Sequence, residues 1–150
     1  MASLFPVDTE WAVEENSDVE SSEIGFGRSW LFDFEAGDFV MTPTRKISVA
    51  ADTAAWLMWC QKAVRTPRYR HLVYSRDYGQ EYEDLIGKRF SRAVLESEIE
   101  RMTTETLMED SRTASVDNFT FDWSTDSCWF TCRLRNIRDE TKTLEGSVSV

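Results

Sequence analysis

From Arg28 onward, apolar and polar positions follow short strand and helix periods that predict a small α+β domain. Ser29-Trp30-Leu31-Phe32-Asp33-Phe34 and Phe39-Val40-Met41 flank Glu35-Ala36-Gly37-Asp38, a β-hairpin signature with Gly37 where positive φ is required. Ile47-Ser48-Val49 adds a short third strand. Over Thr53 to Val64, the residues Trp56, Leu57, Cys60, Ala63 and Val64 recur at helical spacing, with Asp52 as N-cap and Thr66-Pro67 as the stop. Met58 and Trp59 widen that stripe, so this helix is expected to be buried on most sides. Tyr69, His71 and Val73 alternate with Arg70, Leu72 and Tyr74 and predict a strand over Arg68 to Tyr74. A turn at Asp77-Tyr78-Gly79 follows, then a short helix over Glu81 to Ile86 stopped by Gly87.

The second long helix has the clearest signals. Ser91 caps it, Phe90 before the cap and Leu95 at the fourth helical position form a hydrophobic staple, and Leu95, Ile99, Met102 and Leu107 keep core spacing to about Met108. Glu96, Glu98, Glu100, Arg101 and Glu105 face water. Thr113 to Trp123 and Ser127 to Ile137 then alternate as two strands of a hairpin, with a bulge at Asn118. Cys128, Phe130, Cys132 and Leu134 take the buried face, and Trp129, Thr131, Arg133 and Arg135 the polar one. The expected architecture is a small mixed or antiparallel sheet with two main helices and a C-terminal β-hairpin, over residues 28–138. Residues 139–150 are a Thr-, Ser-, Glu- and Gly-rich tail that can extend as an edge strand.

Charge separates off the N-terminal part. Asp8, Glu10, Glu14, Glu15, Asp18, Glu20 and Glu23 stand in the first 27 residues without one Lys or Arg, and supply seven of the ten net negative charges. Residues 1–27 are therefore expected to form an acidic arm, extended or mobile over Val7 to Glu23, with Leu4-Phe5 and Trp11 as apolar anchors. A net charge of −10 and a pI of about 4.6 argue against wrapping a phosphate backbone. The longest apolar run, Ala54 to Cys60, is far short of the roughly 20 residues of a membrane span. With no basic leader, the chain is expected to be soluble and made in the cytosol.

Catalytic signatures are lacking. There is no Gly-rich loop followed by Lys-Ser/Thr, no GxGxxG after a strand and no GxSxG elbow. Cys60, Cys128, Cys132 and the single histidine, His71, do not give metal-ligand spacing, so the cysteines are expected as buried thiols and no metal or cofactor is implied. The carboxylate clusters Glu81-Tyr82-Glu83-Asp84 and Glu96, Glu98, Glu100 resemble solvated helix faces. The basic residues are more telling. Arg65, Arg68, Arg70 and Arg76, with Lys62 and His71, are followed by Lys88, Arg89 and Arg92 and interleaved with Tyr69, Tyr74 and Tyr78. Such a band suits an acidic protein partner, or the chain's own acidic arm, better than nucleic acid.

Three segments carry a resemblance: Leu4-Phe5-Pro6, Phe32 to Phe39, and above all Thr66 to Gly87 with its Tyr-Ser-x-x-Tyr-Gly-x-Glu-x-x-Asp-Leu-Ile-Gly core at Tyr74, Tyr78, Gly79, Glu81, Asp84, Leu85 and Gly87. Over about residues 4–137 the chain resembles the small baseplate-wedge proteins of contractile phage tails, in the branch found in Gram-positive prophages. That branch is related to the sheath initiators of tailed phages, R-type bacteriocins and type VI secretion baseplates. The resemblance implies a baseplate-wedge fold, similar to the part of the sheath subunit that exchanges strands. It implies a structural protein, six copies around the tail tube, that attaches to the wedge and templates the first sheath ring by β-strand augmentation. The implied partners are the tail sheath protein and other wedge and hub proteins, with no nucleic acid or membrane. The implied location is the virion tail baseplate, assembled in the host cytoplasm.

The family's Glu/Asp-Pro-Arg triplet after the long helix corresponds to Asp110-Ser111-Arg112, where serine replaces the proline. Asp110 and Arg112 thereby inherit a wedge contact by implication, against the simpler alternative of a local ion pair at the helix end. Arg133 and Arg135 are expected to guard the sheath-facing edge. Two other classes stay open: a carboxylate-dependent lysozyme-like hydrolase, which needs a carboxylate pair lining an apolar cleft, and a regulatory adaptor sharing the fold.

Overall fold

Two helices and one three-stranded sheet carry the core of the computed structural model, which describes residues 23–150. Of the acidic arm expected over residues 1–27, residues 1–22 lie outside the described part. Helices α1 (Thr53–Arg65) and α2 (Arg92–Met108) cover one face of an antiparallel sheet made of β5 (Thr113–Trp123), β6 (Ser127–Asn136) and β7 (Thr141–Ser149), in that order. Before α1, β1 (Arg28–Trp30) pairs with β4 (Val49–Ala51), and β2 (Phe32–Asp33) pairs with β3 (Asp38–Phe39). The α+β class and two main helices agree with the expectation. The strands, however, form three separate antiparallel sheets, and the C-terminal hairpin is the first part of a three-stranded meander.

Local chemistry explains most elements. Ser91 Oγ accepts the Val94 amide at 3.4 Å and starts α2, whose Leu95, Ile99, Met102 and Leu107 are buried as expected. Thr103 and Thr106 share that buried face, and each finds a partner: Thr103 shares a hydrogen bond with the Tyr82 hydroxyl, and Thr106 donates to the carbonyls of Met102 (2.8 Å) and Gly79 (3.1 Å). In β6 the alternation holds, with Cys128, Phe130, Cys132 and Leu134 inside. Asn118 has φ 55° and sits in a register shift between Asp117 and Thr120, the expected bulge. Gly37, with φ 72°, makes the β2–β3 turn.

Four expectations need correction. Asp52 has φ 52° and makes no side-chain cap to α1; its carboxylate lies 3.5 Å from the Arg138 guanidinium instead. Helix α1 buries one side, Ala55, Trp56, Cys60, Ala63 and Val64, while Met58 and Trp59 stay half-buried. Arg68 to Tyr74 is a loop of turns, with Tyr69 at φ 64° and Leu72 and Val73 in solvent, because Arg68 is drawn inward. The short helix is a 3₁₀ turn over Tyr82–Leu85.

Residues 139–150 hold β7. Asn136, fully buried, organises the turn that leads into it: its Oδ1 accepts the amides of Arg138 (2.9 Å) and Glu140 (3.0 Å), and its Nδ2 donates to Glu140 Oε2 at 2.9 Å. Leu144 and Val148 then enter the core, each contributing about 1.5–3 kcal/mol by burial. Between them Gly146 faces the ring of buried Phe130, where an added Cβ would lie 2.4 Å from the ring. Gly146→Ala is therefore expected to lower the unfolding free energy by about 1–3 kcal/mol in urea titration. Gly25→Ala, with nothing within 4 Å, is expected to leave it unchanged.

Candidate functional site

The Thr66–Gly87 segment folds as a clasp against α1 and α2. A short parallel bridge joins Pro67 to Gln80: the Arg68 amide donates to Gln80 O at 2.7 Å, and the Gln80 amide to Thr66 O at 3.0 Å. Only glycine fits at 79, where φ is 97° and a Cβ would sit 2.5 Å from the Thr66 carbonyl. Arg68 crosses under the clasp with only 11% of its side chain exposed, donating to Gly79 O (3.1 Å), Glu81 (3.1 Å) and Glu105 (3.2 Å). Tyr78 packs edge-on against Trp59 and lies 4.6 Å, ring to ring, from Tyr74. Leu85 is in the core, Gly87 has φ 74°, and Asp84 is exposed. Six of the seven motif residues thus shape or pack the clasp.

Asp110 and Arg112 meet at the end of α2. Arg112 Nε donates to both Asp110 oxygens (2.9 and 3.1 Å), and Nη2 donates to Oδ2 at 2.5 Å. Nη1 reaches the carbonyl of Phe26 at 2.7 Å, tying β1's approach to the β5 start. The side chains are only 7% and 16% exposed, so the pair's charges are used inside the chain. The proline's place is taken by an Asx-type turn, in which the Arg112 amide donates to Asp110 Oδ1 at 2.9 Å and the Thr113 amide to Asp110 O at 2.9 Å. Next along, Thr113 Oγ1 accepts the indole N–H of fully buried Trp56 at 2.9 Å. That anchor had a sequence signal only in the polar residue after Arg112.

The basic band does not form one partner-facing surface. Arg68 is held inside, Arg70 pairs with Glu83 at 2.5 Å, and Arg65 lies 4.7 Å over the Phe34 ring; Arg76 is exposed. The reason is the loop at 68–74, which sends successive side chains in unrelated directions. Arg133 and Arg135 also need correction. They project from β6, the central strand, paired to β5 on one side and β7 on the other, so neither stands at an edge. Arg133 pairs with Asp117 across the strands at 2.7 Å, and Arg135 with Asp139 at 3.7 Å.

The sheet's outer edges are β5 and β7. They are unequal. β5 is broken by two register shifts, whereas β7 keeps unbroken register with β6 over nine residues from Thr141 to Ser149. Besides its ladder with β6, β7 makes no other main-chain hydrogen bond among the described residues. Elsewhere, an aromatic groove of about 700 Å³ opens between α1, the β1–β3 region and the 73–78 loop, and no Asp or Glu lines it. Burial pushes the thiol of Cys132 up to about 12 and that of Cys60 higher still, which leaves both unreactive as nucleophiles.

The family model described as contractile injection system sheath initiator matches residues 28–139. The chain belongs to this sheath-initiator family. It is similar to the phage-like element PBSX protein XkdS of Bacillus subtilis (strain 168), with 27% identity over 106 residues, 70% of this chain and 71% of that protein. Its fold is similar to a chain in the cryo-EM structure of the anti-feeding prophage (AFP) baseplate, 6-fold symmetrised, with a TM-score of 0.51 and 13% identity over 82% of this chain and 85% of that one.

Within this sheath initiator, the family match takes in the clasp and the Asp110–Arg112 turn, and stops just before β7. Both matched features are held by internal contacts. Removing Arg112 would leave a buried carboxylate without its cation and free the Phe26 carbonyl. Arg112→Ala is expected to cost about 3–5 kcal/mol in urea titration. The double change with Asp110→Ala is expected to cost less than the two single losses added together.

Proposed function

We propose that this sheath initiator is a structural component of a contractile-tail baseplate and that it templates the first sheath ring by β-strand augmentation, with β7 as the acceptor edge. The observation that carries this reading is the long, regular outer edge of β7, whose main chain has no further partner among the described residues. Unpaired N–H and C=O groups along such an edge gain hydrogen bonds when another strand is laid beside them. Bulged β5 is a poorer template, since each register shift interrupts the hydrogen-bond row a new strand would need.

In this reading the partners are the tail sheath protein and other wedge and hub proteins, with six copies around the tube in a baseplate assembled in the host cytoplasm. Family membership supports the sheath partner. Asp110 and Arg112 serve wedge attachment by fixing the α2–β5 turn, since their charges are already paired. The hydrolase alternative requires a carboxylate pair in an apolar cleft; the aromatic groove has no carboxylate, and Asp33, Glu35 and Glu145 line a separate pocket of about 420 Å³ beside the β2–β3 turn.

Particles assembled without this protein are expected to contain tubes but no extended sheath when viewed by electron microscopy; normal sheathed particles would refute the role. A photo-crosslinking residue at exposed Thr143 on β7 is expected to capture the sheath protein, while one at exposed Asp122 on β5 is not. Capture at position 122 alone would move the acceptor edge to β5.

A further inference from the structure

We propose that the aromatic groove beside α1 binds the acidic N-terminal segment of this same chain, centred on Trp11 and residues 8–22. The groove is unusual for an acidic protein. Trp30, Phe32 and Phe34, Met58 and Trp59 of α1, and Tyr74 line it. Exposed Arg28 and Lys62 supply the available charge of the lining, Arg112 being paired with Asp110, and no Asp or Glu lines the groove, although the whole chain carries −10. Lys62 Nζ lies 4.9 Å from the Tyr74 ring centre, so cation and aromatic surface are presented together. Trp30 is 56% exposed and Val73 84%, a concentration of apolar surface that soluble chains normally cover.

The matching ligand chemistry is an acidic segment bearing a large apolar side chain. Residues 1–22 have that composition: Asp8, Glu10, Glu14, Glu15, Asp18 and Glu20 without a Lys or Arg, and Trp11 and Phe5 among them. The point of entry suits it as well. Arg112, a groove residue, grips the carbonyl of Phe26, and Arg28 two residues further on lines the groove too, so the chain reaches the described domain at the groove's rim. Fourteen residues, 12–25, separate Trp11 from Phe26. Extended, they reach about 46 Å, several times the roughly 14 Å radius of gyration of a domain this size. A tether of that length gives an effective concentration near the millimolar range, so even a weak contact forms within one chain ahead of a second copy.

Hydrogen exchange read by mass spectrometry on the full chain tests this. Amides in residues 8–22 are expected to be protected at least roughly tenfold over an unstructured peptide. The Arg28→Glu/Lys62→Glu variant, both residues being exposed, is expected to remove that protection while α2 exchanges as before. Trp11→Ala is expected to weaken it independently, and so is about 0.5 M salt through screening. Exchange at unstructured-peptide rates in the unmodified chain would overturn the proposal. So would protection that disappears on dilution, which would assign the groove to another copy's segment, and so would protection untouched by the charge reversal.

Discussion

Hydrogen bonds at and beside Arg112 join the end of α2, the segment before β1 and helix α1, and the arrangement of the domain depends on them. The guanidinium closes the C-terminal end of α2 through Asp110, holds the segment before β1 through the Phe26 carbonyl, and leaves Thr113 placed to accept the Trp56 indole. The Arg112 carbonyl in turn accepts the Ile137 amide at 3.0 Å, where β6 ends. One turn therefore sets where the β1–β3 region, α1 and the sheet stand relative to α2. A buried ion pair of this kind adds little net energy over a well-packed apolar substitute. Its contribution is direction, because a guanidinium with donors in a fixed plane admits few geometries. Serine at 111 is tolerated because the Asx-type hydrogen bond supplies the constraint that proline's fixed φ would give.

The clasp at Thr66–Gly87 works on the same principle with different chemistry. Gly79 lets two backbones approach within a distance no side chain survives, and Arg68 fills the space below with three acceptors. Thr106 on α2 bonds the same Gly79 carbonyl, so the clasp is fastened to the helix behind it. What the motif preserves is a loop shape. That shape holds Tyr74 and Tyr78 against α1, where they form one side of the aromatic groove.

How far this was legible in the sequence depended on whether local pattern and tertiary demand agreed. Helix α2 and strands β5 and β6 were legible because cap, spacing and alternation all point one way, down to the bulge at Asn118. Arg68 to Tyr74 alternates like a strand, yet the Arg68 head is buried against Glu81 and Glu105 and Tyr69 takes positive φ, so the segment turns instead. Strand β7 was legible only as a tail able to extend at an edge, because only Leu144 and Val148 mark its inner face, with Gly146 between them where Phe130 fills the space. The motif residues were legible as a group. The placement of Arg133 and Arg135 was not, since alternation tells which face a residue takes and says nothing of whether its strand is central or at an edge.

An open edge strand such as β7 can also pair with the same strand of a second copy, and its side chains and charge bear on that contact. The outward side chains of β7 are Thr141, Thr143, Glu145, Ser147 and Ser149, so an added strand gains main-chain hydrogen bonds and little apolar burial from that face. Such a contact is weak by itself, since each hydrogen bond replaces one to water and nets only about 0.5–1.5 kcal/mol. Set against it, two copies carrying −10 each repel over the screening length of about 10 Å at moderate salt. The repulsion therefore opposes self-pairing. A segment that brings its own positive charge, or is held beside β7 by other contacts, does not face the same barrier. In the proposed role of β7 as an acceptor edge, the acidity of this chain works in favour of keeping that edge available.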